Sequence, residues 1–180
     1  MAVRPASIKV RAMQWLAQRE HSRSELRTKL LRLLAGMRRA AQPAETDTAA
    51  AATDDTDAAV AAPTAAGEVD ALLDWLEVHG YLSPGRFIES RVHARQGRYG
   101  NLRITHELHQ HGLGLDGVAL QALRDSELDR ARVVWRKKFG RPADDAAGRV
   151  RQMRFLSGRG FSAEVIRRVV RGSDDSDDTT

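Results

Sequence analysis

Leu108-His109-Gln110-His111-Gly112-Leu113 and, 48 residues later, Leu156-Ser157-Gly158-Arg159-Gly160-Phe161 share one pattern: a leucine, a glycine four residues on, and a large apolar residue directly after it. Each reads as a helix, a glycine stop and a new helix, because glycine closes a helix end in a left-handed cap that other residues adopt only at a cost. Ser22-Arg23-Ser24-Glu25-Leu26-Arg27-Thr28-Lys29-Leu30 is an earlier copy, in which Leu26 and Leu30 have the spacing of Ile104 and Leu108. From Leu30 to Leu108 is 78 residues, and the excess over the 48-residue period falls on Ala40–Gly67, a tract of alanine, threonine and aspartate. Fixed-period similarity marks an array of small supersecondary units, which offers a partner an extended surface and no deep pocket.

Composition narrows the classes further. The chain has 180 residues, no cysteine and few aromatics, so its core is mostly aliphatic. Disulfides, thiolate metal sites and cysteine catalysis are excluded. No apolar run approaches the ~20 residues needed to span a bilayer, and Met1–Val10 lacks the apolar stretch of a signal peptide. We therefore expect a cytoplasmic protein with no membrane association. The net charge of +5 conceals an asymmetry: Glu45, Asp47, Asp54, Asp55, Asp57, Asp174, Asp175, Asp177 and Asp178 sit in the alanine-rich tract and the tail, and without these nine acids 29 bases face 15 acids. A body that basic is drawn to a polyanion, either nucleic acid or an acidic protein surface.

Helical punctuation runs along the whole ordered sequence. Ser22 and Glu25 have capping-box spacing, Ser83-Pro84 puts an N-cap before a proline at the first helical position, and Ser126-Glu127-Leu128-Asp129 and Ser162-Ala163-Glu164 set acids at helix starts. Gly36, Gly80, Gly97, Gly112, Gly140, Gly160 and Gly172 read as stops. The apolar spacing between them is three and four, as in Val69, Leu72, Leu73 and Leu76, and none of these runs alternates as a strand would. This predicts an all-α chain with helices over 6–18, 23–36, 68–79, 84–96, 101–111, 115–125, 127–139, 144–158 and 163–171. Grouped in threes they give helix-turn-helix-like repeats at 1–82, 83–126 and 127–172 in an elongated array. The first is interrupted by a disordered or partly helical insert, 40–67, and an acidic disordered tail, 173–180, follows the last.

Two motifs carry chemistry elsewhere and not here. Gly112-Leu113-Gly114-Leu115-Asp116-Gly117 matches the dinucleotide fingerprint, but no strand precedes it, and Lys137 and Lys138 stand where a ribose-binding acid belongs. The glycines read as an inter-helix link, so no cofactor is expected. His93, His106, His109 and His111 lack the further ligands of a metal site, and no nucleophile elbow or phosphate-cradling loop is present. We expect no enzyme, no catalytic residue and no metal.

The candidate binding residues are basic. Arg91, Arg95, Arg98, Tyr99 and Arg103 run through a Gly97-Arg98-Tyr99-Gly100 turn, where arginine forks and an aromatic face suit phosphates, stacked bases or carboxylates. Arg154, Arg159, Arg167 and Arg168 load the last repeat, and Lys29, with Arg23 and Arg27, loads the first. Trp15, Trp75 and Trp135 fall at apolar positions and are assigned to the core.

Arg19-Glu20-His21-Ser22-Arg23-Ser24-Glu25-Leu26, then His79-Gly80-Tyr81-Leu82 with Arg86-Phe87, then Gly97-Arg98-Tyr99-Gly100, and last Arg154-Phe155-Leu156 with Arg159-Gly160-Phe161 resemble, in order, the repeat signatures of the bacterial RecX family, regulators of the RecA recombinase. The resemblance implies three tandem three-helix repeats that lie along a RecA filament on single-stranded DNA. It also implies inhibition of the ATPase, strand-exchange and coprotease activities by blocking filament growth or promoting disassembly. In two places the chain departs from the family. Asn101 stands where the family usually has proline, so that helix start is expected to be looser, and the acidic insert is long. The expected partners are the RecA filament and, weakly or through it, single-stranded DNA, with the protein itself a monomer. The rival expectation is a helix-turn-helix DNA-binding protein, since three-helix units with basic helices also suit duplex grooves.

Overall fold

The computed structural model describes residues 7–41 and 64–172. Most of the expected insert and all of the aspartate tail lie outside the described residues. Among these the chain is all-helical, with α1 (Ile8–Gln18), α2 (Arg23–Ala41), α3 (Ala65–Val78), α4 (Pro84–Gln96), α5 (Asn101–Gln110), α6 (Gly117–Asp125), α7 (Glu127–Phe139), α8 (Ala146–Gly158) and α9 (Ala163–Arg171). The chain divides into two compact units, Met1–Pro84 and Gly85–Thr180.

In the first unit α1, α2 and α3 close over Ala12, Leu26, Leu30, Val69, Leu73 and Leu76, with Leu82 joining them after α3. Each fully buried leucine contributes about 2 kcal/mol by removal from water. Arg23 reaches Asp74 and Glu77 at 2.7 and 2.8 Å, and Arg27 makes a bidentate pair with Asp70 at 2.7 and 2.9 Å. These pairs are open to solvent, so they fix how α2 lies on α3 more than they stabilise it. Ser22 Oγ accepts from Glu25 N–H at 3.1 Å, one half of the expected capping box. The Glu25 carboxylate itself is engaged by the Arg19 guanidinium.

The stop expected at Gly36 is absent. α2 continues to Ala41: an interior glycine costs a helix only about 1 kcal/mol and does not by itself end it. Arg38 and Arg39 then complement the negative end of the helix. The insert is shortened at both ends, since Ala40 and Ala41 close α2 and Ala65-Ala66-Gly67 open α3 behind Thr64, whose Oγ1 accepts from Gly67 N–H at 3.2 Å.

Acid weakens this unit in a predictable order. His21 is 2% exposed, and burial, with the charges of Arg19 and Lys29, pushes its pKa below the ordinary value against a smaller opposing pull from Glu25. Its Nδ1 lies 3.2 Å from Glu25 Oε2 without hydrogen-bond geometry. For Glu25, burial opposes ionisation, but the hydrogen bond and charge of Arg19 and the charge of His21 outweigh it and hold the carboxyl at about 2. Both groups bind fewer protons folded than unfolded, so both stabilise at neutral pH and lose that contribution as pH falls. His21 does so below 6.5 and Glu25 between 4.5 and about 2. Melting temperature against pH is expected to fall in two stages, and Glu25→Gln to flatten the lower stage while a fall below pH 6.5 remains. An unchanged lower stage in that variant would refute the assignment.

The second unit holds two cores. α4, α5 and α6 enclose Phe87, Ile104, Leu108 and Leu123, while α7, α8 and α9 enclose Ala131, Val134, Trp135, Leu156, Phe161, Ile166, Val169 and Val170. The buried Trp135 indole donates to Gln152 Oε1 at 3.1 Å, and Gln152 Nε2 donates on to Arg141 O at 3.1 Å, so neither polar group is left unmet. Gly112 and Gly160 stop their helices with φ of +73° and +79° as the repeat pattern requires. The fingerprint-like stretch is the α5–α6 link, closed by Asp116 accepting from Ala119 N–H at 2.7 Å.

Candidate partner-binding site

Two glycines bring the second unit's halves together. The Gly100 N–H donates to Arg159 O at 2.9 Å and the Leu102 N–H to Gly160 O at 3.0 Å, so the start of α5 hydrogen-bonds to the α8–α9 turn. A Cβ on Gly100 would stand 2.3 Å from Gly160 O and from the Phe161 backbone, so only glycine permits this approach. Glu127, 4% exposed, sits at the same point. Its Oε1 accepts from Asn101 N–H at 2.9 Å and from Ser162 N–H at 3.3 Å, and one carboxylate thereby caps the starts of both α5 and α9. Ser126 and Ser162 stand at the N-cap positions of α7 and α9 but make no side-chain cap; Ser126 Oγ donates back to Ala122 O at 3.0 Å instead.

Arg130 completes the lock. Its guanidinium donates to Tyr99 O at 2.9 Å, Leu123 O at 2.8 Å, Gln96 O at 3.3 Å and the Asn101 side-chain oxygen. Burial pushes its pKa down, and the Glu127 charge pulls it back. Asn101 is thus buried and bonded through both main chain and side chain, so the looser helix start expected of it is not what the structure has. A proline there would lack the N–H that Glu127 accepts.

This lock presents the Gly97–Gly100 turn on a rigid base. Tyr99 carries the Arg103 guanidinium over its ring at 4.6 Å and Arg95 at 5.8 Å. Arg95 also makes a bidentate pair with Glu107 at 3.0 Å, and Arg91 reaches the same carboxylate at 3.3 Å. These two arginines therefore tie α4 to α5, while Arg98 is exposed. Arg159 lies over Phe155 at 4.6 Å and donates to Arg98 O at 3.1 Å.

On one side of Tyr99 opens a groove of about 560 Å³ lined by Gly97, Arg98, Tyr99, Val133, Val134, Lys137, Lys138, Phe155 and Arg159, four cations and no acid. On the other side is a concavity of about 420 Å³ that includes Arg95, Tyr99, Arg103, His106 and His111, with Glu107 present to neutralise part of its charge. The acid-free groove suits phosphate oxygens or carboxylates at its cations and a flat or apolar group against Phe155 and Tyr99.

The ten sequence candidates do not form one site. Arg98, Tyr99 and Arg159 share the acid-free groove; Arg95, Tyr99 and Arg103 share its neighbour; Arg91 is bound to Glu107. Arg154 and Arg167 line a different groove on α8 and α9, and Arg168 lies with Arg132, Arg136 and Arg141. Lys29 belongs to the first unit, 5.3 Å over the Trp15 ring. Sequence reading missed Lys137, Lys138 and Phe155 as groove residues, although two adjacent lysines in the last turn of α7 were a visible signal. Among the described residues no three His, Asp or Glu side chains gather as metal ligands. His106 Nε2 instead meets Gln110, and the His111 ring stands edge-on to Phe87.

Residues 125–170 match the family profile described as RecX, third three-helix domain. The regulatory protein RecX of Ralstonia pickettii (strain 12J) is 41% identical over 173 residues, spanning 95% of this chain and 91% of its own length. The chain belongs to the RecX family. The RecX regulatory proteins of Ralstonia nicotianae, 42% identical over 94% of this chain and 90% of that protein, and of Herminiimonas arsenicoxydans, 39% identical over 99% and 100%, agree. For a RecX-family chain the nine described helices are three tandem three-helix repeats, and each set has its own apolar cluster.

Proposed function

We propose that this chain is a non-enzymatic cytoplasmic regulator that binds the RecA filament on single-stranded DNA as a monomer. Bound there, it lowers ATPase, strand-exchange and coprotease activity by blocking filament growth or promoting disassembly. The observation that carries this reading is the groove with Arg98, Lys137, Lys138 and Arg159 and no acid, in a chain whose family relatives are named regulatory proteins. No helix among the described residues is long and apolar enough to cross a membrane, in keeping with a partner in solution.

The repeats at 1–82, 83–126 and 127–172 offer separate basic faces. A filament repeats its own surface, so each contact raises the effective concentration of the next, and modest contacts add to tight binding. A lone protomer or a short oligonucleotide offers fewer contacts and is held weakly. The test is RecA ATPase on single-stranded DNA with this protein far below one per RecA. Inhibition at such ratios, with weak and steeply salt-dependent binding to DNA alone, supports the reading. Full ATPase at equimolar protein, or tight sequence-selective binding to duplex DNA, replaces it with the helix-turn-helix alternative.

A further inference from the structure

α8 carries two apolar stripes on opposite sides. Phe155 and Leu156 face the core with Gln152. Val150, Met153 and Ser157, at the three-and-four spacing of a second helix face, point away from it. Val150 is 44% and Met153 36% exposed. With Arg154 on α8 and Ala163, Ile166 and Arg167 on α9 they line a groove of about 390 Å³ that contains no acidic side chain. The packing of the third repeat does not need this stripe, since Trp135, Leu156, Phe161 and Val169 already fill the core. A solvent-facing stripe of valine and methionine beside two arginines has the form of a protein-interaction surface, with an apolar centre and a charged rim.

We propose that this groove docks an acidic segment of the RecA protomer that inserts a leucine-, isoleucine- or phenylalanine-type side chain between Val150, Met153 and Ile166, with carboxylates on Arg154 and Arg167. The proposal rests on the filament-binding reading above and divides its labour. The acid-free groove beside Tyr99 takes anionic groups, and the α8–α9 groove takes protein.

The rim fixes the sign of the partner, because guanidinium forks pair with carboxylates and repel a basic segment. The floor fixes its apolar anchor, because a nucleic-acid backbone gains little from valine and methionine. The chain's own acidic stretches fit less well. Ser173–Thr180 has no apolar side chain, and the tract from 42 to 63 has Val60 as its single large one. Methionine at the centre also suits an anchor that must be accommodated closely, since its flexible thioether adapts to the partner's shape.

The test uses the full chain with Met153→Asp and Met153→Leu, both at an exposed helical position, with unchanged helicity and melting temperature as the control for folding. Binding is measured to RecA filaments on single-stranded DNA and to the same DNA without RecA, over a range of salt. Met153→Asp is expected to weaken filament binding at least about tenfold, with the salt slope and the affinity for bare DNA unchanged, while Met153→Leu binds as the wild type does. Filament affinity of Met153→Asp within twofold of wild type overturns the proposal alone and leaves the filament-binding reading standing. Equal loss on bare DNA overturns it too, by making the groove a nucleic-acid contact. Wild-type self-association that Met153→Asp abolishes makes it a contact between copies of this chain. Failure of the wild type to bind filaments at all sinks the underlying reading and the proposal with it.

Discussion

Glu127→Ala is expected to lower the unfolding free energy of the second unit by about 2 kcal/mol or more, the usual cost of leaving buried hydrogen-bonding groups without a partner. The loss has two sources. The Asn101 and Ser162 N–H groups, which share Glu127 Oε1, are left without that acceptor at the starts of two helices. Arg130, already disfavoured by burial, loses the one charge that offsets it. Glu127→Gln keeps a carbonyl oxygen for both N–H groups and gives up only the charge, so it should cost less than half as much. Urea denaturation monitored by Trp135 fluorescence separates these cases. Alanine and glutamine variants of equal stability would show that Glu127 does not hold the two helix starts. The alanine variant should also bind filaments less well, because Tyr99 and Arg159 are displayed from elements that meet at this carboxylate.

Lys137→Gln combined with Lys138→Gln tests the groove with little risk to the fold, since both lysines sit in the exposed last turn of α7. If each neutralises one phosphate of a single strand, the double variant should reduce the slope of log affinity against log salt by about 1.4, and affinity at low salt should drop by about ten- to a hundredfold. Filament affinity should fall in parallel, and so should ATPase inhibition at low ratios of protein to RecA. An unchanged slope with reduced filament affinity would mean that the lysines meet carboxylates on protein. Unchanged affinity on both would remove the groove from the binding surface.

Part of this architecture is legible in the sequence. The paired Leu-Gly patterns at Gly112 and Gly160 marked helix stops because a positive φ is a local demand that glycine meets. Helix spans followed from apolar spacing, and the wrong stop at Gly36 shows where that logic ends: glycine permits a stop but does not require one, since inside a helix it costs only about 1 kcal/mol. Arg91 and Arg95 illustrate the matching limit for sites. Their four-residue spacing announced a basic helix face, yet Glu107, twelve residues beyond Arg95, binds both. Nothing local to either arginine signals that partner.

Sequence by itself determined most helix spans, their grouping in threes and the excess of bases in the body, because each depends on spacing or composition over a few residues, and its ordered motifs carried the resemblance to the RecX family. Tertiary structure alone decided that Gly100 must be glycine, that Glu127 serves two helices, and that Lys137 and Lys138 share a groove with Arg98 and Arg159. Those facts depend on backbones meeting across 60 residues of chain, between Gly100 and Gly160. A side chain's environment is set by what the fold brings beside it, and the residues next to it in sequence do not encode that neighbour.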